Sequence, residues 1–398
     1  MITKYCLKAW VTLFFILFNR CQTAFIANEF GVGNFALNKY HSHDEIIQWL
    51  NDVQYQHPDI TQIIELPNAD GTQNALTHEN RPLIALKIGK PKIFGRDAMT
   101  EGNLQTKPAI WIDAGMHARE WISTAVAIYW IHLLTAAYRR DEKITQFVDE
   151  IDWYILPMMN PDGYEYSRNV DRMWRKNRNP NRHLADRKCS GVDLNRNFDW
   201  HFSNGGSSTS ECKEIFHGLY PFSEPEADAV ARYLKMISSN LQGYLTLHSA
   251  GQLWLYPYGH ANGAKPRDWF ELQFVAEKAQ RQMELSGQYY KIGSKADTLY
   301  ITTGSSVDWV KGVLGTKFAY LVELPPTRSD VMQWPEVFKD ESGRRSLRYV
   351  TSKFSLPPTH IIPTAVATWY GTVAMADQIL AKQDSGITIV PDGECKKN

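Results

Sequence analysis

The 398-residue chain has few cysteines, no excess of charge of either sign, no internal repeat and no N-glycosylation sequence (Asn-x-Ser/Thr). Its 43 basic and 43 acidic residues give a formal net charge of zero, which argues against nucleic acid or an anionic membrane as a partner. Without an acceptor sequence, N-glycosylation is not expected. The chain is 43% hydrophobic and 22% charged, proportions typical of a folded soluble protein rather than a disordered one.

Long apolar runs are also scarce, and the one that stands out lies at the N-terminus. Lys4 and Lys8 precede the run AWVTLFFILF, and small residues close the segment near residue 24. This order is typical of a secretory signal peptide, with a signal anchor as the alternative. The run is too short to span a bilayer comfortably. We therefore expect a signal peptide over residues 1–24, secretion to the extracellular space and no stable membrane insertion.

Five cysteines restrict the possible disulfides. Cys6 and Cys21 lie in the predicted signal peptide, which leaves Cys189, Cys212 and Cys395. An oxidising compartment permits a disulfide. Cys189 and Cys212 flank a loop rich in glycine and serine and are the natural pair. Cys395 is then the odd cysteine, either free or paired with another chain.

The rest of the chain alternates between strand-like and helix-like runs. The strand-like runs are RPLIALKIG, KPAIWIDAG, EIDWYIL, QGYLTLHS and KFAYLVELPP, the last predicted to stop at its prolines. The helix-like runs are STAVAIYWIHLLTAAY, EPEADAVARYLKMI, DWFELQFVAEKAQRQMELSG and PTAVATWYGTVAMADQILAK. This alternation predicts an α/β fold with a largely parallel or mixed sheet covered by helices. We expect one domain over residues 38–385, after a short lead (25–37) and before a tail (386–398).

Polar side chains follow three of the predicted strands. His117 and Glu120 come just after AIWID, His248 ends the strand GYLTL, and Glu323 follows KFAYLV. Sites in α/β sheets gather beyond the carboxyl ends of strands. Two imidazoles and one carboxylate are the ligand set of a catalytic zinc that keeps a fourth position for water. Glu323 is then available as the base that takes a proton from that water.

Each of these residues also has a simpler interpretation. A lone histidine at a strand end is most often a hydrogen-bonded structural residue, and a His-x-x-Glu pair suits an ordinary helix-surface contact. Arg172, Arg175, Asn195 and Arg196 lie between the candidate ligands in the sequence. A basic run is commonly a solvated face, but arginine is also the side chain suited to bidentate recognition of a carboxylate. Taken together, these residues indicate hydrolysis next to a free C-terminus.

Several motifs appear in the order found in one known family. They are HARE, NPDGYEYS, RMWRKNR, GVDLNRN, FHG, LHSAGQLWLYPYG and VDW followed by VE, and the match runs from about residue 40 to 372. The chain resembles the zinc carboxypeptidases of the pancreatic A/B type. The resemblance implies an α/β fold with a central mixed eight-stranded sheet, one Zn²⁺ per chain, and peptide or protein C-termini as substrates. We also expect a monomer.

The resemblance implies a role for each matching residue. His117, Glu120 and His248 match the zinc ligands, Glu323 matches the general base, and Arg175 matches the residue that stabilises the oxyanion. Asn195, Arg196 and Tyr300 match the clamp on the terminal carboxylate of the substrate. Arg119 and Arg172 match secondary substrate contacts. Cys189 and Cys212 match the family disulfide.

The pocket for the terminal side chain is matched by Val307. Aspartate at this position would bind Lys or Arg ends and arginine would favour acidic ends, so valine predicts a preference for aliphatic or aromatic C-terminal residues. Leu255, Gly259 and Leu321 agree with an apolar pocket. Lys295 aligns near the pocket rim, where its charge would favour an acidic C-terminal residue instead. We discount it here because a lysine can extend its ammonium to solvent and because the local alignment can slip by one residue.

The chain departs from the pancreatic enzymes in two places. The pancreatic enzymes carry a folded pro-domain where this chain has only the short lead, so we expect no pro-domain. The segment after Glu323 is longer and begins Pro-Pro, and we expect it at the mouth of the cleft.

Two other functions compete with a carboxypeptidase. They are a zinc amidohydrolase of acylated amino acids, which need not keep the full carboxylate clamp, and an inactive zinc-binding relative. Such relatives typically lose a ligand or the base, whereas all are present here.

Overall fold

A computed structural model describes residues 31–91, 107–180, 189–327, 332–339 and 345–384. The predicted signal peptide, the C-terminal tail and Cys395 lie outside the described residues. The fold class is the one predicted, an α/β fold with a central mixed sheet of eight strands. These strands are β1 (Thr61–Glu65), β2 (Ile84–Ile88), β3 (Ala109–Asp113), β4 (Asp152–Leu156), β5 (Leu241–Gly251), β6 (Leu253–Tyr256), β7 (Lys291–Ser294) and β8 (Phe318–Thr327).

The order of the strands across the sheet is β1-β2-β4-β3-β5-β8-β6-β7. The central strands β4, β3, β5 and β8 are parallel to one another. Antiparallel pairs flank this centre, with β1 and β2 on one side and β6 on the other. The carboxyl ends of β3, β5 and β8 therefore meet at one edge, where α/β proteins form their sites.

Within the described ranges, nine α-helices accompany the sheet. They are α1 (His43–Gln56), α2 (Trp121–Ala136), α3 (Glu142–Glu150), α4 (Pro161–Asn169), α5 (Pro225–Met236), α6 (Trp269–Leu285), α7 (Lys295–Thr298), α8 (Ser306–Gly312) and α9 (Ile361–Asp384). Short 3₁₀ turns span Val32–Asn34, Leu194–Arg196 and Pro358–His360. None of the helices in these ranges is long and apolar enough to cross a membrane.

Alternating strand residues divide the core into two layers. Ile110 and Ile112 of β3 pack with apolar residues of α1, α2, α3, α6 and α9. Trp111, between them in the sequence, points to the other face and packs with residues of α5 and α8. Successive side chains of a strand leave opposite faces of the sheet. A strand buried on both faces thus reads as a continuous apolar run, as AIWI does.

The expected end of the strand KFAYLVELPP is wrong. β8 continues through Pro325 and Pro326 to Thr327. The pairing with β5 shifts here, because Ser249 lies opposite Leu324 while Gly251 lies opposite Thr327. Proline has no N–H to give to a ladder, and a bulge is one of the places where a sheet tolerates it.

The long segment after β8 forms a hairpin of its own. β9 (Met332–Lys339) and β10 (Arg345–Ser352) pair antiparallel as a separate two-stranded sheet. Lys353 and Phe354, directly after β10, line the cleft described below. The expectation that this segment reaches the mouth of the cleft holds for these two residues.

Gly304 fixes the distance between the segment before α8 and the Leu194–Arg196 turn. Its φ is 68°, a left-handed conformation that favours glycine. A Cβ on Gly304 would clash with the carbonyl oxygen of Arg196. The Gly304 N–H also donates to Trp200 O at 2.8 Å. Gly304 thus sets the backbone position of Arg196, one of the predicted substrate contacts.

We predict that Gly304→Ala destabilises the protein more than Gly71→Ala does. Gly71 has a φ of 71°, but a Cβ there would meet no described atom within 4 Å. The left-handed conformation costs about 1–2 kcal/mol in both variants, and the clash at Gly304 adds about 1–3 kcal/mol. Urea unfolding measures both free energies. Equal losses would mean that contact with Arg196 does not constrain Gly304.

Candidate metal and peptide site

Three buried side chains converge at the carboxyl edge of the sheet. His117 Nδ1 lies 2.9 Å from Glu120 Oε1 and 3.1 Å from His248 Nδ1. His248 Nδ1 lies 3.1 Å from Glu120 Oε2. The three residues form a group whose ligand atoms all lie within 4.8 Å of one another. The structure thus brings together the three residues predicted to bind metal.

The donor set fits a zinc ion. Tetrahedral ligands at the usual Zn–N and Zn–O distances lie about 3.3 Å apart, close to the spacing seen here. Two ring nitrogens that face each other at 3.1 Å need a proton or a cation between them. Burial alone would raise the pKa of Glu120, but the rings of His117 and His248 hold that pKa well below its usual range. An ionised carboxylate beside two imidazoles favours a divalent cation.

The fold delivers these groups from neighbouring strands. His117 and Glu120 lie in the short connection between β3 and α2, and Glu120 directly precedes the first residue of α2. The Glu120 carboxylate accepts a hydrogen bond from Ser249 N at 3.0 Å, which ties it to β5. His248 lies on β5 opposite Glu323 of β8 in the parallel register. Glu323 is only partly buried, which suits a base that must meet water.

Asp193 is a central residue of this site that the sequence reasoning did not single out. Its Oδ1 lies 3.2 Å from His117 Nε2, the ring nitrogen that faces away from the cluster. Its Oδ2 accepts from Arg175 Nη2 at 2.9 Å, and Arg196 Nη1 lies 3.7 Å away. Burial would raise the pKa of Asp193, but Arg175 and Arg196 hold it well below its usual range. Asp193 lies inside the motif GVDLNRN, so its position two residues before Asn195 was the available signal.

A carboxylate in this position orients a ligand histidine. A histidine that binds metal through one nitrogen usually donates the other N–H to an oxygen acceptor such as a carboxylate, a backbone carbonyl or water, which fixes its tautomer. Asp193 provides this partner for His117. For His248 the partner is Thr246, whose Oγ1 lies 3.1 Å from Nε2. In both histidines, therefore, the Nε2 atom that faces away from the cluster has an oxygen partner.

Arg175 and the Leu194–Arg196 turn lie beside the cluster. Arg175 Nη1 is 3.8 Å from Glu120 Oε1, and the side chain is buried against Asp193. Asn195 accepts from Ser306 N at 3.1 Å, and its amide nitrogen lies 3.5 Å from His248 Nε2. Arg196 donates from Nε to Gly206 O at 2.9 Å. These contacts hold two guanidinium groups and one amide in fixed positions near the candidate metal ligands.

Arg119 and Arg172 are held by other parts of the chain. Arg119 donates from both terminal nitrogens to the Glu214 carboxylate, at 2.7 and 3.2 Å. Arg172 donates to Arg119 O at 2.8 Å and to Phe354 O at 2.6 Å. Arg119 reaches the cleft, whereas Arg172 is not among the described residues that line it. Their predicted contacts with substrate stay predictions.

A disulfide joins Cys189 to Cys212, as predicted, with an S–S distance of 1.97 Å. Glu214, the partner of Arg119, follows Cys212 by two residues. The disulfide therefore restrains the segment that supplies the carboxylate partner of Arg119.

An open cleft runs past the cluster. All but two of the residues predicted to bind metal or substrate line it, namely His117, Arg119, Glu120, Arg175, Asn195, Arg196, His248, Tyr300 and Glu323. Val307 is fully buried in the core and is not among the described residues that line the cleft. Its predicted role as the pocket floor stays a prediction. Lys295, which was expected to extend to solvent, is instead 1% exposed and lines the cleft.

The cluster, the adjacent carboxylate and the basic groups are the parts of a metal-dependent hydrolase. Comparison with known proteins agrees. The profile of the zinc carboxypeptidase family matches residues 46–371. Carboxypeptidase B2 of Rattus norvegicus is 38% identical over 303 residues, which cover 75% of this chain and 66% of the relative. Carboxypeptidase A2 of the same organism is 33% identical over 348 residues, 87% of this chain and 72% of the relative.

A solved structure extends the likeness to three dimensions. The crystal structure of thrombin-activatable fibrinolysis inhibitor aligns with a TM-score of 0.72 at 32% identity, covering 88% of this chain and 76% of that one. The chain belongs to the zinc carboxypeptidase family, a family of zinc-dependent peptide hydrolases. The resemblance inferred from the motifs is confirmed, and so is the fold it implied. Carboxypeptidases of both the A and the B type match, so the names of the relatives do not indicate which C-terminal residue this chain prefers.

We predict that Asp193→Asn weakens zinc binding about 10–100-fold, because removal of a partner that orients a ligand histidine typically costs that much. Competition with a chelator measures the affinity. Asp199→Asn is the matched control, since Asp199 is exposed and only six residues away. Wild-type zinc affinity in the Asp193 variant would refute the orienting role.

Proposed function

We propose that the protein is a secreted zinc-dependent exopeptidase that hydrolyses the last peptide bond of its substrates. The observation that carries the proposal is the shared cleft. The His117, Glu120 and His248 cluster lines the same cavity as Glu323 and Arg196. A cation site, a base and a fixed guanidinium within one cleft suit hydrolysis next to a carboxylate.

His117, Glu120 and His248 are the residues that would hold one zinc ion per chain. Zinc supplies Lewis acidity toward the substrate carbonyl and lowers the pKa of water. Asp193 and Thr246 keep the two imidazoles in the tautomer that leaves Nδ1 free to bind.

Glu323 is the proposed base. It would take a proton from the water that attacks the scissile carbonyl carbon and then deliver that proton to the leaving nitrogen as the C–N bond breaks. Its place beside His248 in the β5–β8 pair supports this role, because the carboxylate borders the cleft next to the cluster. The water oxygen ends in the new carboxylate, and the released residue carries the new amine.

Arg175 is the proposed stabiliser of the negative charge that develops on the carbonyl oxygen. Asp193 holds its guanidinium in place, so little reorganisation is needed when that charge forms. Asn195, Arg196 and Tyr300 would hold the terminal carboxylate of the substrate. A clamp on that group limits cleavage to the last residue, because it fixes the distance between the chain end and the scissile bond.

The two rival functions have less support. A zinc amidohydrolase of acylated amino acids does not require every residue of the clamp, and all of them line the cleft here. An inactive relative would be expected to lack a ligand or the base, and none is missing.

Secretion, and the substrates it implies, rest on the N-terminal pattern and on the disulfide. Cys189 and Cys212 are bonded, and such bonds persist in oxidising compartments. We propose extracellular peptides and proteins with free C-termini as substrates. The monomeric state and the lack of nucleic-acid partners stay predictions.

The sequence predicted a preference for aliphatic or aromatic C-terminal residues from Val307, and no comparison tests it. Leu321, which lines the cleft, favours that preference, whereas the buried Lys295 in the same cleft favours an acidic residue.

We predict that Glu323→Gln lowers kcat by about 10²–10⁴-fold and leaves zinc content unchanged, because the amide cannot accept the proton from water. His117→Ala should lose zinc and activity together, since three ligands are the minimum of such a site. Hydrolysis of a blocked dipeptide and elemental analysis of the purified protein measure the two effects.

Glu284→Gln, on the exposed side of α6, is the matched control and should behave like the wild type. A Glu323→Gln variant with a near-wild-type rate would show that Glu323 is not the base.

A further inference from the structure

Lys295 carries a buried positive charge at the wall of the cleft. The residue is 1% exposed, begins the short helix α7 and lines the cavity. Within the described part of the chain, its Nζ has no hydrogen-bond partner. An ammonium has three N–H donors, and leaving them unsatisfied in a buried position is costly. A group of this kind suggests that its partner comes from outside the chain.

The nearest carboxylate does not satisfy Lys295. Asp308 Oδ2 lies 3.9 Å from Nζ, beyond hydrogen-bond distance. That oxygen already accepts a hydrogen bond from Gly259 N at 2.8 Å. Asp308 is fully buried and is not among the described residues that line the cleft. Of this pair, Lys295 rather than Asp308 borders the cavity that an incoming side chain would enter.

The surroundings of Lys295 form a small polar pocket. A Cβ on Gly259 would lie 2.7 Å from Lys295 Nζ and 2.8 Å from Thr302 Oγ1, so only glycine leaves room for both groups. Thr302 also lines the cleft, and its hydroxyl has no hydrogen-bond partner among the described residues. Leu299 and Leu321 line the cavity as well. An ammonium and a hydroxyl beside apolar walls suit a short aliphatic stem that ends in a carboxylate.

We propose that this pocket takes the side chain of the substrate's terminal residue and that Lys295 selects an acidic one, glutamate or aspartate. The proposal rests on the proposed exopeptidase function and replaces the apolar preference. Both reasons for discounting Lys295 on sequence alone fail in the structure, because the ammonium does not reach solvent and the residue lines the cleft. The carboxylate of the bound side chain would supply the missing hydrogen-bond acceptor.

The charge on Lys295 gives the preference a pH dependence. The charged groups around its ammonium are Asp308 of α8, Arg196 and Asp193 at the Leu194–Arg196 turn, and Glu323 of β8. Burial lowers the pKa of Lys295 to about 8, while Asp308 opposes the shift. The ammonium is charged below that pH and neutral above it. The preference for an acidic end should be complete at lower pH and decline as the pH rises through about 8.

The test compares matched substrates of the zinc-loaded protein. Blocked dipeptides that end in Glu, Gln, Leu and Phe are hydrolysed, and kcat/KM is measured for each. Glu and Gln have nearly the same shape, so their ratio isolates the side-chain charge. We expect the Glu substrate to exceed the other three by at least about tenfold at pH 7. The Glu/Gln ratio should fall above pH 8, and taking a ratio removes any pH effect common to both substrates.

Lys295→Met keeps most of the stem and removes the charge. We expect it to lose the Glu/Gln preference while still hydrolysing the Leu substrate. Lys291→Met is the matched control, since Lys291 is exposed on β7 and the same net charge is removed. It should keep the wild-type ratio. If the Lys295 variant does not fold, the wild-type ratio and its pH dependence decide the question.

Several outcomes would overturn the proposal. They are a Leu or Phe substrate that matches or exceeds Glu in the wild type, a Glu/Gln ratio near one, or an unchanged ratio in a folded Lys295→Met variant. These outcomes differ from failure of the exopeptidase function itself, in which the zinc-loaded protein would hydrolyse none of the four substrates.

Discussion

The buried carboxylate of Asp193 is the group on which the geometry of the cleft depends. It lies against His117 Nε2 on one side and accepts from Arg175 on the other, with Arg196 close by. A single ionised group thus couples the orientation of a candidate metal ligand to the positions of two guanidinium groups. Burying such a carboxylate is costly unless charged partners surround it. The contacts that offset the cost of burying the Asp193 carboxylate therefore also fix the positions of Arg175 and Arg196, which would contact the substrate.

The sheet supplies the frame for this coupling. β3, β5 and β8 are adjacent and parallel, so the chain leaves each strand at the same edge. His117 and Glu120 follow β3, while His248 and Glu323 lie opposite each other on β5 and β8. The cluster and the base consequently belong to rigid strands or their immediate ends. The Leu194–Arg196 turn lies close to the segment before α8 because Gly304 in that segment has no side chain. Precise placement of reacting groups is what such a scaffold contributes to hydrolysis.

Periodicity and polar strand ends predicted the central strands, the helices α2, α5, α6 and α9, and the four residues around the cluster, since these signals depend on local sequence. Short strands such as β6 and β7 were missed, because four residues give little periodicity. Contacts between distant residues were also missed. The pairing of Asp193 with Arg175 depends on the tertiary fold, and so does the burial of Lys295, which the general tendency of lysine to reach solvent obscured. The course of β8 through two prolines depends on a bulge in its pairing with β5, which no single-strand pattern reveals.

The central claim is that a metal in the His117, Glu120 and His248 cluster supports hydrolysis directed by a free C-terminus. The most direct measurement is zinc titration into the metal-depleted protein, with a blocked dipeptide and its C-terminal amide as parallel substrates. Activity on the free acid should rise until one zinc is bound per chain and then level off, while the amide stays largely intact. Full activity without metal, or equal rates on the acid and the amide, would contradict this account.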